Sequence, residues 1–454
     1  MKPDGTLLPL IDRLRTRAFL VGVVATVAAV AGAFFVRGAH KPGEYNGFDR
    51  AYLFTYVFFL GLSLGSLALL MVHRQLGGAW GFLIRRPLEA GAMTLPLMAV
   101  LFVPILVDLE RIYPWVSHPP GSQKEEGGNP APEGRLKASD NPVSQASPVV
   151  VHAAGETAGS SGTRRDPLEA TTADLFAFKK LWLNPTAFTI RVAIYFVIWI
   201  ALAVTFYLGS GRQDRTSSTS LAYGLQSLSA PGLVLYFLTS SLAFIDWGMS
   251  LQPEWYSSIY GVLVMIGQGV STVAFMILVA TIISRRGETE GLDTPETFND
   301  LGNLLLAFVM LWAYLSFSQY LIIWSGNLAE EIPWYTRRLR GGWEWIGRFL
   351  MVFHFALPFL ILLSRPAKRN IRVLWVIAAL VLGAHLVDTY WLIAPSFGEI
   401  PRSLGSSITL FDLILPVAIG GFWLAAFLWL LRGRPLMIAQ DPELLPALKQ
   451  AGGH

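Results

Sequence analysis

Long apolar stretches recur along this chain of 454 residues, and each is long enough to cross a lipid bilayer as a helix. Ten are predicted, over residues 17–36, 51–72, 87–107, 187–208, 230–249, 257–283, 301–324, 346–364, 372–394 and 409–431. Within lipid every backbone polar group needs a protein partner, which restricts a spanning segment to a helix or a closed barrel. The apolar runs are continuous and lack strand-type alternation, so we expect an all-α polytopic membrane protein.

The composition agrees with a membrane protein and excludes several kinds of chemistry. Charged residues make up 15% of the chain, against about 25% in soluble domains. The chain has no cysteine, which removes disulfides, iron–sulfur ligands and cysteine nucleophiles. Its basic pI near 9.2 is explained by loop Lys and Arg, and no nucleic-acid partner is expected. No motif predicts a metal site.

The distribution of Lys and Arg predicts the orientation. An even number of spans places both termini on one side, and the segments on that side carry more Lys and Arg than the short segments opposite. The cluster at residues 365–372 is the clearest example. Under the positive-inside rule both termini are therefore cytoplasmic. The three arginines within residues 337–340 lie on the outer side and do not fit this pattern.

The chain divides into four predicted regions: residues 1–113 with spans one to three, 114–186 as a long outer loop, 187–431 with spans four to ten, and 432–454 as a cytoplasmic tail. Residues 114–172 are rich in Pro, Gly and Ser and lack apolar periodicity, which is typical of a solvated linker or of a segment that a partner orders. Residues 173–186 alternate aromatic and charged side chains, which favours an interfacial amphipathic helix.

Five ionisable side chains fall within the predicted spans: Asp246, His354, His385, Asp388 and Asp412. A charge at the bilayer centre costs roughly 2.5–3.5 kcal/mol on insertion scales, so such residues usually pair, face water or serve function. The predicted span directions place them mainly in the outer half. We interpret all five as candidates for a proton relay or for contacts to a substrate, and the alternative is a structural contact between helices.

His385 and Asp388 form the most informative pair, because a spacing of three residues places both on one helix face. A carboxylate beside an imidazole fixes its tautomer and favours its protonated form, which suits a proton acceptor. Arg191 and Gln319 are candidate pocket or counter-ion residues, and Gln268 is a further polar group within a span. Glu89, at the inner edge of span three, is expected to be solvated, and the alternative is a proton entry point.

Three stretches carry a resemblance to a known family: FIDWGMSLQPEWYSSIYG at 244–261, FSQYLIIWSGNLAEEIPWYTRR at 317–338 and KKLWLNPTAFTIRVAIYFVIW at 179–199. Together they resemble the second quinone-binding-type membrane subunit of bacterial alternative complex III, a quinol:cytochrome c oxidoreductase. The wider group is similar to the NrfD and polysulfide reductase membrane subunits.

The resemblance implies two four-helix bundles, spans two to five and six to nine, plus two extra helices. It also implies a subunit of the bacterial cytoplasmic membrane with no redox cofactor of its own. Iron–sulfur clusters and haem c would lie on partner subunits, beside a related membrane subunit. Quinol, such as menaquinol, would be oxidised on the outer side, and this subunit would bind quinol, conduct protons or act as a scaffold.

Two other interpretations remain. A secondary transporter would hold its substrate near mid-membrane between helices interrupted at corresponding positions of two repeats. Pro96, Pro104, Pro358 and Pro416 do not form such a matched pair. A purely structural scaffold of the same complex would gain little from so many buried ionisable groups.

Overall fold

The protein is an all-α membrane-type fold. The computed structural model describes residues 7–37, 47–117, 179, 181–216, 218–286, 291–398, 405 and 408–433. This described part is almost entirely helical and contains no strand. Ten of its helical segments are long and apolar enough to cross a membrane, which confirms the predicted all-α polytopic class and the ten spans.

The helices of the first half are α1 (Leu7–Arg37), α2 (Gly47–Leu76), α3 (Ala79–Ala92), α4 (Leu95–Val107), α5 (Leu109–Ile112), α6 (Pro114–Ser117), α7 (Pro185–Thr216) and α8 (Thr219–Trp247). Those of the second half are α9 (Tyr260–Ser284), α10 (Pro295–Gly326), α11 (Ile332–Arg338), α12 (Trp343–Phe349), α13 (Leu357–Leu363), α14 (Arg365–Arg369), α15 (Ile371–Ile393) and α16 (Phe411–Arg432). A π-helical segment, Leu350–Ala356, joins α12 to α13 within span eight, and α3 and α4 together form span three.

Several boundaries differ from the sequence expectation. The first helix begins at Leu7 and includes Arg13 and Arg15, which were expected to precede it. Arginine is a good helix former whose long side chain reaches out to water, so these residues extend the helix beyond the apolar core. In the predicted outer loop, Pro114–Ser117 forms a helical turn with Trp115 buried.

Most of the predicted loop lies outside the described residues, as do residues 434–454 of the tail. In the segment predicted as an interfacial helix, 173–186, the structure describes Lys179 and residues 181–186; Lys179, Leu181 and Trp182 are helical.

The spans pack as two rings of four, as the family resemblance implied. In the first bundle α2 contacts α3 and α4, these contact α7, α7 contacts α8, and α8 returns to α2. In the second bundle α9 contacts α10 and α15, while span eight closes the ring through α13 against α10 and the π-helical segment against α15. Helix α2 also packs against α9, which joins the two bundles.

The two remaining spans, α1 and α16, pair with each other and attach to the first bundle through α2. They approach each other closely at two glycines, since a Cβ added at Gly421 would lie 2.6 Å from the Cα of Gly22. Small residues allow helix backbones to approach closely within a membrane. Elsewhere α1 is mostly exposed, so it is the most peripheral span.

Candidate functional site

A large cavity lies inside the second bundle and opens on its apolar surface. Its volume is about 980 Å³, and its walls come from α2, α9, α10, α15 and span eight. Its rim includes Tyr314 and Phe317 of α10 and Met351 of the π-helical segment, all three strongly exposed. An apolar pocket with a few convergent polar groups is the usual form of a small-molecule site.

The cavity walls are mainly aromatic and aliphatic, and the polar or charged side chains among them are Gln268, Ser316, Gln319, Glu344, Arg348, His385, Asp388 and Thr389. Three predicted site residues, Gln319, His385 and Asp388, are therefore brought together in this cavity. A molecule that enters from lipid would meet an apolar wall first and the polar groups of α15 further inside.

His385 and Asp388 lie one helical turn apart on α15, as their spacing predicted. Nδ1 of His385 lies 3.4 Å from Oδ2 of Asp388, and both residues are at least nine-tenths buried. Nε1 of Trp312 donates a hydrogen bond of 3.0 Å to the same carboxylate oxygen. The carboxylate is thus fixed beside the imidazole, which is the geometry that a proton acceptor at the cavity wall requires.

His354 lies against this pair rather than at the cavity wall. Its ring centroid is 5.5 Å from that of His385 and 4.1 Å from that of Trp312, which it meets edge to face. Among the described residues neither of its ring nitrogens has a hydrogen-bond partner, although the residue is fully buried. It lies in the π-helical segment, which precedes Pro358. Such segments are frequent at functional sites.

The position of His385 depends on a glycine of the facing helix. A Cβ added at Gly267 of α9 would lie 2.5 Å from Cε1 of His385, closer than real Cβ contacts. The imidazole therefore packs directly on the backbone of α9. This contact places the neighbouring residue, Gln268, at the same depth in the bundle as His385.

Gln319 lies in the cavity wall beside the loop that leads into α11. Oγ of Ser257 donates to Oε1 of Gln319 at 3.3 Å, and Nε2 of Gln319 donates to the Tyr335 hydroxyl at 3.4 Å. Both groups of the amide are therefore occupied by weak contacts that a ligand could replace.

Helix α11 covers one end of the cavity through Trp334 and Tyr335 and is anchored by a buried arginine. The Arg338 guanidinium donates to the carbonyl oxygens of Trp334 and Leu392 at 3.0 and 2.6 Å and lies 3.6 Å from the Trp334 ring centroid. Burial lowers the pKa of Arg338 to about 9, so the side chain stays charged at neutral pH. Arg338 therefore has a structural role, which does not depend on how the chain is oriented in the membrane.

Asp246 and Arg191 form a separate ion pair in the first bundle. Nε and Nη2 of Arg191 contact the two carboxylate oxygens of Asp246 at 2.8 and 2.9 Å. Trp182 Nε1 and the Tyr195 hydroxyl donate to the same carboxylate at 2.7 and 3.0 Å. Arg191 is thus a counter-ion, and neither it nor Asp246 lines the described cavity.

Asp412 is held at the start of α16. It accepts hydrogen bonds from the backbone N–H and hydroxyl of Thr409 at 2.7 and 3.0 Å, which ties a residue before the helix to its first turn. Nη2 of Arg50 lies 2.5 Å from its Oδ2, and the Tyr390 hydroxyl lies 3.4 Å from that oxygen. The pair joins the first turns of α2 and α16. No functional role of Asp412 is tested by this geometry, and its predicted role in a relay stays a prediction.

Glu89 was expected to be solvated, and this is wrong because it is 1% exposed. Nη1 of Arg86 lies 2.7 Å from Oε2 of Glu89, and Arg85 and Arg74 lie 3.8 and 3.9 Å from Oε1. Arg86 also pairs with Asp214 at the end of α7. The spacing of Arg85 and Arg86 to Glu89, four and three residues, is the signal that sequence reasoning missed.

A comparison with protein-family models and a comparison with curated proteins each found no match for this chain. Across the part of the chain that the structure describes, no group of three or more His, Cys, Asp and Glu could hold a metal ion. The function is therefore argued from the cavity and its polar groups.

Proposed function

We propose that this chain is the membrane subunit of a quinol:electron acceptor oxidoreductase and that its second bundle binds the quinol. The observation that carries the proposal is the apolar cavity, which opens on the lipid-facing surface and holds His385 and Asp388 in its wall. A quinol is an apolar ring with two hydroxyl groups that travels within the bilayer, so it needs a lateral opening and a few polar groups.

Oxidation of a quinol releases two protons and two electrons, and the proposed site accounts for the first proton. A hydroxyl group placed against His385 would donate its proton to the imidazole, and Asp388 would stabilise the imidazolium that forms. Trp312 keeps the carboxylate in place during the transfer. The electrons would pass to a redox group on a partner subunit.

The family resemblance supports a place in such a complex, although within the family the related membrane subunit is the stronger candidate for quinol oxidation. The resemblance implies partners with iron–sulfur clusters and haem c, a related membrane subunit, menaquinol as a possible substrate, and a place in the bacterial cytoplasmic membrane with both termini cytoplasmic. A transmembrane proton path through the buried residues Asp246, His354, His385, Asp388 and Asp412 is the second contribution that this subunit could make. Asp246 and Asp412 lie in ion pairs outside the cavity, so the proposal depends on His385 and Asp388.

Purification of the tagged chain in mild detergent, followed by mass spectrometry and a reduced-minus-oxidised spectrum, tests the assignment. We expect an iron–sulfur subunit and haem c subunits to copurify with the chain. A chain that purifies alone without any redox partner would overturn the proposal and return attention to a transporter. A full complex whose turnover is unaffected by changes at His385 and Asp388 would support the scaffold instead.

A further inference from the structure

Two residues that line the cavity have a side-chain donor without a hydrogen-bond partner among the described residues, Gln268 through Nε2 and Trp391 through Nε1. Gln268 of α9 lines the cavity and is 2% exposed. Its Oε1 accepts a hydrogen bond of 2.6 Å from the Tyr236 hydroxyl of α8, which fixes the amide orientation. Among the described residues its Nε2 has no hydrogen-bond partner. A buried N–H group without an acceptor is costly, so a ligand oxygen that accepted from this group would be bound more tightly.

The position of Gln268 relative to His385 determines which ligand atom could accept a hydrogen bond from its amide. Gly267 packs directly against the His385 ring, and Gln268 is the next residue of the same helix. Gln268 and the imidazole of His385 therefore lie at one depth of the bundle. A single ligand hydroxyl can accept a hydrogen bond from the amide N–H group of Gln268 and donate one to the imidazole of His385.

We propose that Gln268 is the positioning residue of the quinol site and that its Nε2 donates to the ligand oxygen that faces His385. This inference rests on the proposed function. A quinol hydroxyl would accept from Gln268 and donate to the imidazole, whereas the quinone carbonyl formed after oxidation would accept from both. Gln268 binds the two redox forms alike, while His385 changes from acceptor to donor.

This division of roles predicts different kinetic effects. An interaction that is equal in the ground state and the transition state lowers KM and leaves kcat unchanged. Loss of the Gln268 donor should therefore raise KM for quinol about tenfold, the size expected for one net hydrogen bond, with kcat nearly unchanged. Loss of the His385 proton acceptor should lower kcat.

Binding to the full chain in lipid nanodiscs tests the inference directly. The probe is the fluorescent quinol analogue heptyl-hydroxyquinoline N-oxide, displaced by menadione or by methylnaphthalene, which has the same ring and methyl group without the oxygens. The wild type should bind menadione more tightly than methylnaphthalene. Gln268→Leu combined with Tyr236→Phe removes the donor without leaving the tyrosine hydroxyl unpaired, and it should reduce that preference about tenfold.

Thr281→Val is the matched control, because Thr281 is buried in the same helix but does not line the cavity. This variant should keep the wild-type preference. A Gln268 variant that keeps the full preference for menadione, with wild-type probe affinity, would overturn the inference alone. A wild-type chain that binds no probe would overturn it together with the proposed quinol site. A thermal unfolding curve for each variant separates loss of fold from loss of binding.

Discussion

The indole of Trp312 and the carboxylate of Asp388 form a hydrogen bond of 3.0 Å across the second bundle, between α10 and α15. Because an indole N–H only donates, Oδ2 of Asp388 is the acceptor in this contact. The same oxygen lies 3.4 Å from Nδ1 of His385. Two helices therefore hold one carboxylate beside one imidazole at the wall of an apolar cavity.

Replacement of Asp388 by Asn tests whether this pair handles protons. The change keeps the shape of the side chain and removes its charge, so the imidazole loses the group that stabilises its protonated form. We expect quinol-dependent turnover by the purified complex to fall about a hundredfold. A fall in kcat alone indicates proton transfer, whereas a rise in KM indicates a role in binding quinol.

Asp300→Asn is a suitable control for Asp388→Asn, because Asp300 is an exposed aspartate at the start of α10 and is not part of the cavity wall. It should leave both kinetic constants unchanged. Wild-type kinetics in Asp388→Asn and in His385→Ala would exclude this pair from the reaction.

The sequence predicts the fold well because its signals are local. Apolar runs defined all ten spans, and a spacing of three residues placed His385 and Asp388 on one face. The partners of the buried charges depend on contacts between distant segments. Nothing near Asp246 in the chain indicates Arg191, and nothing near Asp388 indicates Trp312. The cavity itself results from packing of five spans, which periodicity does not encode.

A second prediction concerns the contact between α9 and His385. Gly267→Ala adds a Cβ that would lie 2.5 Å from Cε1 of His385, so the imidazole or the helix has to move. Overpacking of this kind costs typically 1–3 kcal/mol. We expect a clear loss of quinol turnover at wild-type expression, because a displaced imidazole no longer meets the ligand hydroxyl.

The control for Gly267→Ala is Gly383→Ala in α15, where an added Cβ has no atom within 4 Å. Alanine is the better helix former, so this variant should keep full turnover and unfold at the same or a slightly higher temperature. Equal activity of the two variants would contradict a direct packing role for Gly267.

The ion pair of the first bundle is expected to stabilise the fold. Asp246 is fully buried and accepts from Arg191, Trp182 and Tyr195, so its carboxylate is already satisfied. Arg191→Met would leave a buried charge without its cation and should cost about 3–5 kcal/mol in the free energy of unfolding. Addition of Asp246→Leu should restore much of that loss, as measured by denaturant unfolding in detergent.

The matched control is Arg212, which is exposed and lies on α7, the helix that carries Arg191. Arg212→Met should change the unfolding free energy by less than about 0.5 kcal/mol. The double variant also tests the proposed proton role of Asp246. If Asp246 relays protons, the stabilised double variant should still lose turnover. Full turnover would show that Asp246 stabilises the fold and takes no part in proton transfer.

The last prediction concerns the Glu89 cluster, in which three arginines lie around this buried glutamate and one of them, Arg86, also pairs with Asp214. Glu89→Gln removes the negative charge that lies among these buried guanidinium groups. We therefore expect a loss of about 3–5 kcal/mol in unfolding free energy. Glu296→Gln is the control, because its pair with Arg369 is about one-third exposed and should contribute less than about 1 kcal/mol.

Probe binding distinguishes a structural from a functional role for Glu89, because its cluster lies at the other end of the fold from α11, which covers one end of the cavity. At a temperature where Glu89→Gln remains folded, its affinity for heptyl-hydroxyquinoline N-oxide should equal that of the wild type. An unchanged unfolding free energy would show that the arginines find other partners. Weaker probe binding by a fully folded variant would show that the Glu89 cluster and the cavity are coupled, which a purely structural cluster does not explain.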